Sequence, residues 1–527
     1  MPQITSASGA HHCSSRLQAI RSPTAKLIAI ACLSICGFGI KSHADDPNRP
    51  NVVIVYTDDQ GVGDVSALNP TAKFQTPNID RLAREGMTFT DGHCSDTVCT
   101  PSRYGLLTGR YSWRSSLKAG VMGADVEHGL IEDGRMTIAS LLRDKGYRTG
   151  MFGKWHLGMQ FDGKAGQRDW SQPFRDGPID HGFDEFFGIP ASMNYGVLTW
   201  LEGDRVTKPA AMWTAKKPGL VTYDKSSYRI TPPYGSEPKK SRLGGALEVA
   251  DDFDDVQALS RFTDRAIQFI EQNSKHPFFA YVPLTSPHKP VIPAPEFVGK
   301  TKCGAYGDFM IETDHRLGQI LDTLDRLKIA DNTIVVFTSD NGAESTYKKR
   351  VDVFQHDSSG VLRGGKRDLY EGGHRVPFFI RWPRVVKANS TTDAPVCQSD
   401  LLATLAEVVG TDLPADAGED SESFAAALRG KPFDHGPLVH HGVKGHFAIR
   451  DGRWKLILAA DGNKLYDLQR DLSETTNVAE SHPDLVAQMQ AKLTAIVANG
   501  RSTAGESQTN VGGVDYRDWC KCCRESR

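Results

Sequence analysis

Residues 51–57 form an unbroken β-branched and apolar run, Asn-Val-Val-Ile-Val-Tyr-Thr, that stops at Asp58-Asp59-Gln60-Gly61. A run without polar alternation suits a strand covered on both faces, so it predicts a buried strand whose C-terminal end carries two carboxylates. The form recurs at Phe278 to Leu284, which enters Thr285-Ser286-Pro287-His288, and at Thr333 to Thr338, which enters Ser339-Asp340-Asn341-Gly342. A shorter run, Thr149 to Phe152, leads to Lys154-Trp155-His156. Between these runs the apolar period becomes helical: Ile79, Leu82 and Ala83 after Pro77; Ile138, Leu141 and Leu142 stopped by Gly146; and Val256, Leu259, Thr263, Ala266, Ile267 and Ile270. Alternating strands and helices predict an α/β fold, a large mostly parallel sheet sandwiched by helices. Ligands of such sheets bind beyond the carboxyl ends of the strands, where the polar residues are expected to converge.

Leu401 to Val409 reads as one more helix, followed by a Gly/Pro/Asp-rich stretch to Asp420. A boundary near residue 430 then separates a larger domain, 45–430, from a smaller C-terminal α+β subdomain, 431–527, built on an antiparallel sheet. Its signals are a hairpin from Phe447 to Ile457 with an Asp-Gly turn and a closing helix from Leu485 to Val497. The Gly, Ser, Thr and Asn-rich segment 501–514 reads as mobile. At the other end Arg16, Arg21 and Lys26 precede an apolar run from Leu27 to Ile40 and then Ser42-His43-Ala44. That is a secretory signal peptide, 1–44, too short for a membrane span. Lipidation at Cys36 is the weaker reading, because Ile35 is large where such sites want a small residue. The protein is expected to be exported, periplasmic or secreted.

A net charge of −2 over 527 residues gives no basic surplus for nucleic acid. An anionic substrate would have to be drawn by a local cluster. Of ten cysteines, Cys13, Cys32 and Cys36 lie in the leader. In an oxidising compartment Cys94, Cys303, Cys397, Cys520, Cys522 and Cys523 could form disulfides of undetermined pairing. The terminal Cys-Lys-Cys-Cys lacks the paired spacing of a zinc site.

Asp58, Asp59, Asp340 and Asn341 are all oxygen donors, the ligand type that hard divalent cations prefer. Either pair alone could be a helix cap or turn; two pairs at the ends of separate buried strands favour a metal. In Cys99-Thr100-Pro101-Ser102-Arg103, Pro101 suits a first helical turn and Leu106 and Leu107 supply an apolar face one turn on. Residue 99 then sits at a helix N-terminus, which favours negative charge. A buried structural Cys is the competing reading there, and solvated or satisfied polar residues are the competing reading for Lys154, His156 and Lys366.

Taken together, Asp58-Asp59, the Cys-x-Pro-Ser-Arg pentapeptide, Gly153-Lys154-Trp155-His156, Pro287-His288, Ser339-Asp340-Asn341-Gly342 and Lys366 in a Gly-rich loop stand in the order found in type I sulfatases. The chain resembles that arylsulfatase-like family of the alkaline phosphatase superfamily over residues 50 to 410. The resemblance implies an alkaline phosphatase-like fold and a sulfuric ester hydrolase. It also implies that a separate formylglycine-generating enzyme oxidises Cys99 to a formylglycine, and that Asp58, Asp59, Asp340, Asn341 and the modified residue 99 hold Ca²⁺, with Mg²⁺ possible. Carried over to this chain, Arg103 and Lys154 stabilise residue 99, Lys154, His288 and Lys366 bind sulfate oxygens, Asp340 and His156 act as bases, and His288 or Lys366 protonates the leaving alcohol. The implied partner is a sulfated small molecule or glycan. Two rivals remain: a phosphomonoester or phosphonate hydrolase, and a non-catalytic sulfoglycan-binding protein. Trp200 and Tyr195 are expected as pocket aromatics, with core residues as the equal alternative, and His181, His356 and His441 are candidate sugar contacts.

Overall fold

The run at 51–57 is covered on both faces. In the computed structural model, which describes residues 49–216, 230, 232–238, 245–459, 461–513 and 515, Val52, Ile54 and Tyr56 enter one apolar cluster and Val53 and Val55 another. The leader and Cys520, Cys522 and Cys523 lie outside the described residues.

The main sheet has ten strands: β1 (Asn51–Asp58), β2 (Met87–Phe89), β3 (Arg148–Lys154), β4 (Glu185–Ile189), β5 (Leu201–Glu202), β6 (Arg205–Val206), β7 (Phe278–Pro287), β8 (Thr333–Ser339), β9 (Phe378–Arg381) and β10 (Ser390–Thr392). Their spatial order is β10-β2-β9-β8-β1-β7-β3-β4-β5-β6. The central strands β8, β1, β7, β3 and β4 run parallel, and β9 and β5 turn antiparallel against them on the two sides. The expected α/β sandwich is therefore present, with antiparallel strands outside its parallel centre.

Six helices cover the sheet. On one face lie α1 (Pro77–Glu85), α4 (Ala258–Asn273) and α5 (Gly304–Arg326), which bury Leu82, Phe262 and Leu317 in the cluster of Val53 and Val55. On the other lie α2 (Cys99–Thr108), α3 (Ile138–Asp144) and α6 (Leu401–Val408), which bury Leu106, Leu141 and Leu405 with Val52 and Ile54. Burying one such side chain is worth about 1.5–3 kcal/mol, so the sandwich is the main source of stability.

A second, four-stranded antiparallel sheet follows: β11 (Leu438–His441), β12 (Phe447–Asp451), β13 (Trp454–Ile457) and β14 (Lys464–Asp467). Helix α7 (Pro483–Ala498) packs Met489, Leu493 and Val497 onto it, together with Tyr111 and Trp113 from the chain after α2. The hairpin is present, but Asp451 pairs with Trp454, so its two loop residues are Gly452 and Arg453. Gly452 takes φ +55°, which a residue with no Cβ adopts without strain.

Two expectations are corrected. The 501–513 segment is pinned: Val511 N–H donates to the Arg114 carbonyl (2.9 Å), Arg110 donates to the Thr509 carbonyl (3.0 Å), and Ser502 N–H donates to Asp420 (3.0 Å). Polar composition leaves such a segment without a core of its own, yet buried arginines elsewhere supply its partners. Cys94, Cys303 and Cys397 are buried free thiols, with Cys94 Sγ donating to the carbonyls of Asp96 and His374. No helix among the described residues is long and apolar enough to cross a membrane.

Candidate active site

The ends of β1 and β8 are locked side by side. Asp340 N–H donates to the Thr57 carbonyl (3.1 Å), and Gln60 N–H donates to Ser339 Oγ (2.9 Å). Gly61 lets the chain pass close to its neighbour, because a Cβ there would lie 2.0 Å from the Ser358 carbonyl oxygen. These contacts set Asp58 and Asp59 beside Asp340 and Asn341. Strand β3 delivers Lys154, β7 leads into His288, and the loop before Tyr370 delivers Lys366. Cys99 opens α2 as its first residue and is 2% exposed.

Three carboxylates are held against three cations. Lys154 Nζ donates to Asp58 Oδ2 (2.5 Å), Lys366 Nζ to Asp59 Oδ1, and Arg103 Nη2 to Asp340 Oδ2 (2.8 Å). Arg103 also donates to the Lys154 carbonyl (3.1 Å) and lies over the Tyr56 ring, 5.2 Å from its centroid. Asn341 Nδ2 donates to Asp59 Oδ1 (2.8 Å). Asp59 and His156 take φ of +70° and +61°, a left-handed backbone that costs roughly 1–3 kcal/mol in a non-glycine residue and clusters at functional sites.

Within this set, Asp58 Oδ1, Asp59 Oδ2 and Asn341 Oδ1 are buried without a hydrogen-bond partner. Ligand atoms of Asp58, Cys99 and Asp340 lie within 4.8 Å of one another, as do those of Asp58, Asp59 and His288. Unpartnered buried oxygens are costly unless something positive meets them. The all-oxygen donor set at the ends of β1 and β8 therefore fits a hard cation such as Ca²⁺ or Mg²⁺.

The electrostatics follow from burial. Burial pushes the Asp58 carboxyl up, but Lys154, His288 and Arg103 outweigh it and hold the group well below the usual range. Burial, and then the neighbouring Asp58, push Asp340 up to about 7. Burial also raises the Cys99 thiol against the pull of Lys154 and Lys366, which makes an unmodified residue 99 a poor thiolate nucleophile. His156 is driven well below its ordinary value by burial and then by Lys154. Its Nε2–H donates to the Met122 carbonyl (3.1 Å), so Nδ1 is a bare lone pair with no partner among the described residues. His288 is lowered to about 4, first by burial; its Nδ1–H donates to the Lys289 carbonyl (2.6 Å), and Nε2 lies 3.8 Å from Asp59 Oδ2.

Tyr195 joins the site half-buried, its ring 5.2 Å from that of His156. Trp200 does not. It is 1% exposed and packed against Phe253, ring centroids 4.6 Å apart, so it is a core residue. The three further histidines are also corrected: His181 stacks on Trp155 (5.8 Å), His356 Nε2 meets Asp64 Oδ1 (2.8 Å), and His441 Nδ1 meets Asp96 Oδ1 (3.1 Å). All three are buried, and these contacts fix loops.

The family profile described as Sulfatase matches residues 50–411, and a second, described as N-sulphoglucosamine sulphohydrolase, C-terminal, matches residues 364–499. The chain belongs to the sulfatase family. It is 33% identical to an N-acetylgalactosamine-6-O-sulfatase of Bacteroides thetaiotaomicron, over 89% of this chain and 98% of that protein. It is 32% identical to human steryl-sulfatase over 76% of this chain and 73% of the relative. A solved structure from glycosaminoglycan metabolism in Bacteroides thetaiotaomicron, 31% identical, superposes with a TM-score of 0.74 over 85% of this chain and 99% of that one. Family membership places the protein among the sulfuric ester hydrolases of the alkaline phosphatase superfamily.

In this sulfatase the segment before residue 99 is held by groups that the sequence reading missed. Asp96 accepts from Ser95 Oγ (2.7 Å) and Ser112 Oγ (3.0 Å), and its carbonyl accepts from Ser102 Oγ (3.1 Å). An Asp between Ser and Thr carries no sequence signal beyond that of an ordinary loop. A second missed feature is a buried ionic clamp between the two sheets. Lys455 of β13 donates to Glu371 (2.9 Å) and pairs with Glu474 (3.0 Å), and Arg450 of β12 pairs with Asp91.

Proposed function

We propose that this sulfatase removes sulfate from a sulfated carbohydrate, with Cys99 converted to formylglycine and a hard divalent cation, Ca²⁺ or Mg²⁺, held by Asp58, Asp59, Asp340 and Asn341. The observation that carries the reading is the gathering of all six motif elements around residue 99, with three oxygens of the ligand set left unpartnered. The cation would offset charge on the sulfuryl oxygens, and the formylglycine hydrate would supply one hydroxyl to attack sulfur and a second from which sulfate is expelled. The chain's own groups do the rest. Lys154 and Lys366 bind sulfate oxygens, and Arg103 orients Asp340 while adding charge near residue 99. Asp340, ionised when the cation is held, takes the proton of the attacking hydroxyl. The leaving alcohol takes its proton from Lys366, held charged beside Asp59, or from His288 Nε2 once that nitrogen has itself taken up a proton. His156 Nδ1, the unpartnered lone pair, removes the proton of the second hydroxyl.

The name of the Bacteroides relative makes N-acetylgalactosamine 6-sulfate the first substrate to try. The leader supports export to the periplasm or beyond. The decisive test is release of inorganic sulfate from a set of defined sulfated saccharides by protein produced with a formylglycine-generating enzyme. Hydrolysis of phosphonate or phosphate monoesters in preference to every sulfate ester would transfer the site to the rival reading. A phosphonate monoester hydrolase of Agrobacterium radiobacter shares the fold at 18% identity and a TM-score of 0.57.

A further inference from the structure

Directly beside the site lies a cavity of about 380 Å³ that no step above uses. Its wall begins at Arg367, the residue after Lys366, and includes Lys444, His446 and Lys464; its floor includes Leu369 and Ile457. Backbone hydrogen bonds tie it to residue 99. Arg367 N–H donates to the carbonyl of Thr97 (2.9 Å), whose own N–H donates to the His441 carbonyl (3.1 Å), just before the Gly442–His446 turn that forms the opposite wall. The cavity thus joins the loop that carries Lys366 to the antiparallel sheet.

Its charge is mostly positive: Arg367, Lys444 and Lys464 line it against one acid, Asp368, whose Oδ2 accepts from the Gly365 N–H (3.1 Å). Arg367 is fixed by two hydrogen bonds to Glu344 (2.6 and 3.0 Å), only three residues after Asn341, and the same carboxylate faces Lys289 at 3.7 Å. Lys464 has an exposed partner, Asp461 (3.0 Å), an arrangement that contributes little and is readily exchanged. Lys444 is exposed, with no salt bridge among the described residues. An apolar floor beneath several cations suits a sugar ring carrying an anion: the ring covers Leu369 and Ile457, and the charged group meets the lysines.

We propose that this cavity is a second glycan position, taking a carboxylate or a further sulfate on the sugar next to the one that loses its sulfate. This rests on the carbohydrate-sulfatase reading and narrows it to anionic oligosaccharides. Position favours it over a general anion trap, because Arg367 follows the sulfate-binding Lys366 in the chain and its N–H donates to the carbonyl of Thr97, two residues before residue 99.

The test compares wild type, Lys444→Glu and Lys464→Ala on four substrates that share one sulfated sugar: the monosaccharide, and disaccharides whose neighbouring ring is neutral, carboxylated or sulfated. Wild type should favour one or both anionic neighbours over the neutral one in kcat/KM. Lys444→Glu should remove about three- to tenfold of that preference through KM, as expected for reversing a partly exposed charge, and the preference should shrink at high salt. The monosaccharide should respond to neither variant. The carboxylated and sulfated arms identify which anion is read. A titration of Cys99→Ala with the anionic disaccharides reads the cavity without turnover, and adding Lys444→Glu should weaken that binding by a similar factor. Equal kcat/KM for neutral and anionic neighbours, or binding indifferent to Lys444→Glu, overturns the cavity's role. Failure to desulfate any of the four, with binding intact, overturns the proposed function and leaves the cavity standing.

Discussion

Cation binding at the ends of β1 and β8 should displace one proton, and that proton should come from Asp340. Its carboxyl titrates at about 7 because it is buried and faces Asp58, which stays ionised. A divalent cation needs the ionised form, so below neutrality proton and cation compete, and each pH unit weakens cation affinity by about tenfold, or ~1.4 kcal/mol. Without the cation the sign is reversed. A carboxyl whose folded pKa lies above its unfolded value of 3.8 contributes stability that is fully present below that value and lost as pH rises through about 7. Cation-free protein should therefore lose stability between about pH 4 and 7, while the stabilisation produced by a fixed excess of Ca²⁺ grows by roughly 2.5 kcal/mol from about pH 5 to 7.5. Scanning calorimetry on dialysed protein with and without Ca²⁺ measures both trends. Titration calorimetry in two buffers of different ionisation enthalpy counts the proton: close to one released per cation near pH 6, close to none near pH 8.5. Asp340→Asn should abolish the release. A Ca²⁺ stabilisation indifferent to pH below 7, or the same proton release from Asp340→Asn, would refute the reasoning.

Cys99→Ala and Cys99→Ser should each end sustained turnover while circular dichroism and melting stay near wild type, since only an aldehyde hydrate can both attack sulfur and expel sulfate; multiple turnovers by either variant would remove formylglycine from the mechanism. His288→Ala should depress hydrolysis of a sulfated saccharide far more than that of a nitrophenyl sulfate, whose phenolate leaves unassisted, whereas His156→Ala should lower kcat on both; a comparison of kcat and kcat/KM for the two variants on the two substrates checks this. Lys455→Met should cost about 3–5 kcal/mol in denaturant unfolding, because it strands Glu371 and Glu474 in the interior; a loss below about 1 kcal/mol would show the clamp to be dispensable.

The strands that build the site were readable because strands buried on both faces show no polar residue until their ends. β1, β7 and β8 obey that rule, and the abrupt change to Asp58, His288 and Asp340 marks the ligand end of the sheet. Helix α5, the longest described, was passed over. It buries Glu312 and Arg316, which pair with each other one turn apart (3.1 Å), and Asp314, which is met by the distant Asn78 backbone N–H (2.9 Å), and these buried charges blur the apolar period. The outer strands β5 and β6 are two residues each, too short to carry a period. Asp96, His356 and the 501–513 segment failed for a related reason: apart from the Ser95 hydroxyl, the partners named for them lie between 6 and nearly 400 positions away, and no local pattern encodes them. Trp200 shows the reverse error: it sits in the largely apolar run Val197-Leu198-Thr199-Trp200-Leu201 and turns inward to Phe187, Phe253 and Phe262.

The burial of Cys99 sets a clock. Its surroundings are assembled from Asp58, Lys154, Asp340 and Lys366, so the pocket that encloses the thiol cannot close until more than two-thirds of the chain has been synthesised and folded together. Once closed, with residue 99 only 2% exposed at the root of α2, no second protein can grip the pentapeptide in an extended form. Any enzyme that oxidises this cysteine must therefore act while the chain is still open. For a chain that is exported and modified as proposed, export, folding and oxidation would compete in time, and a molecule that folded first would be sealed with its thiol intact.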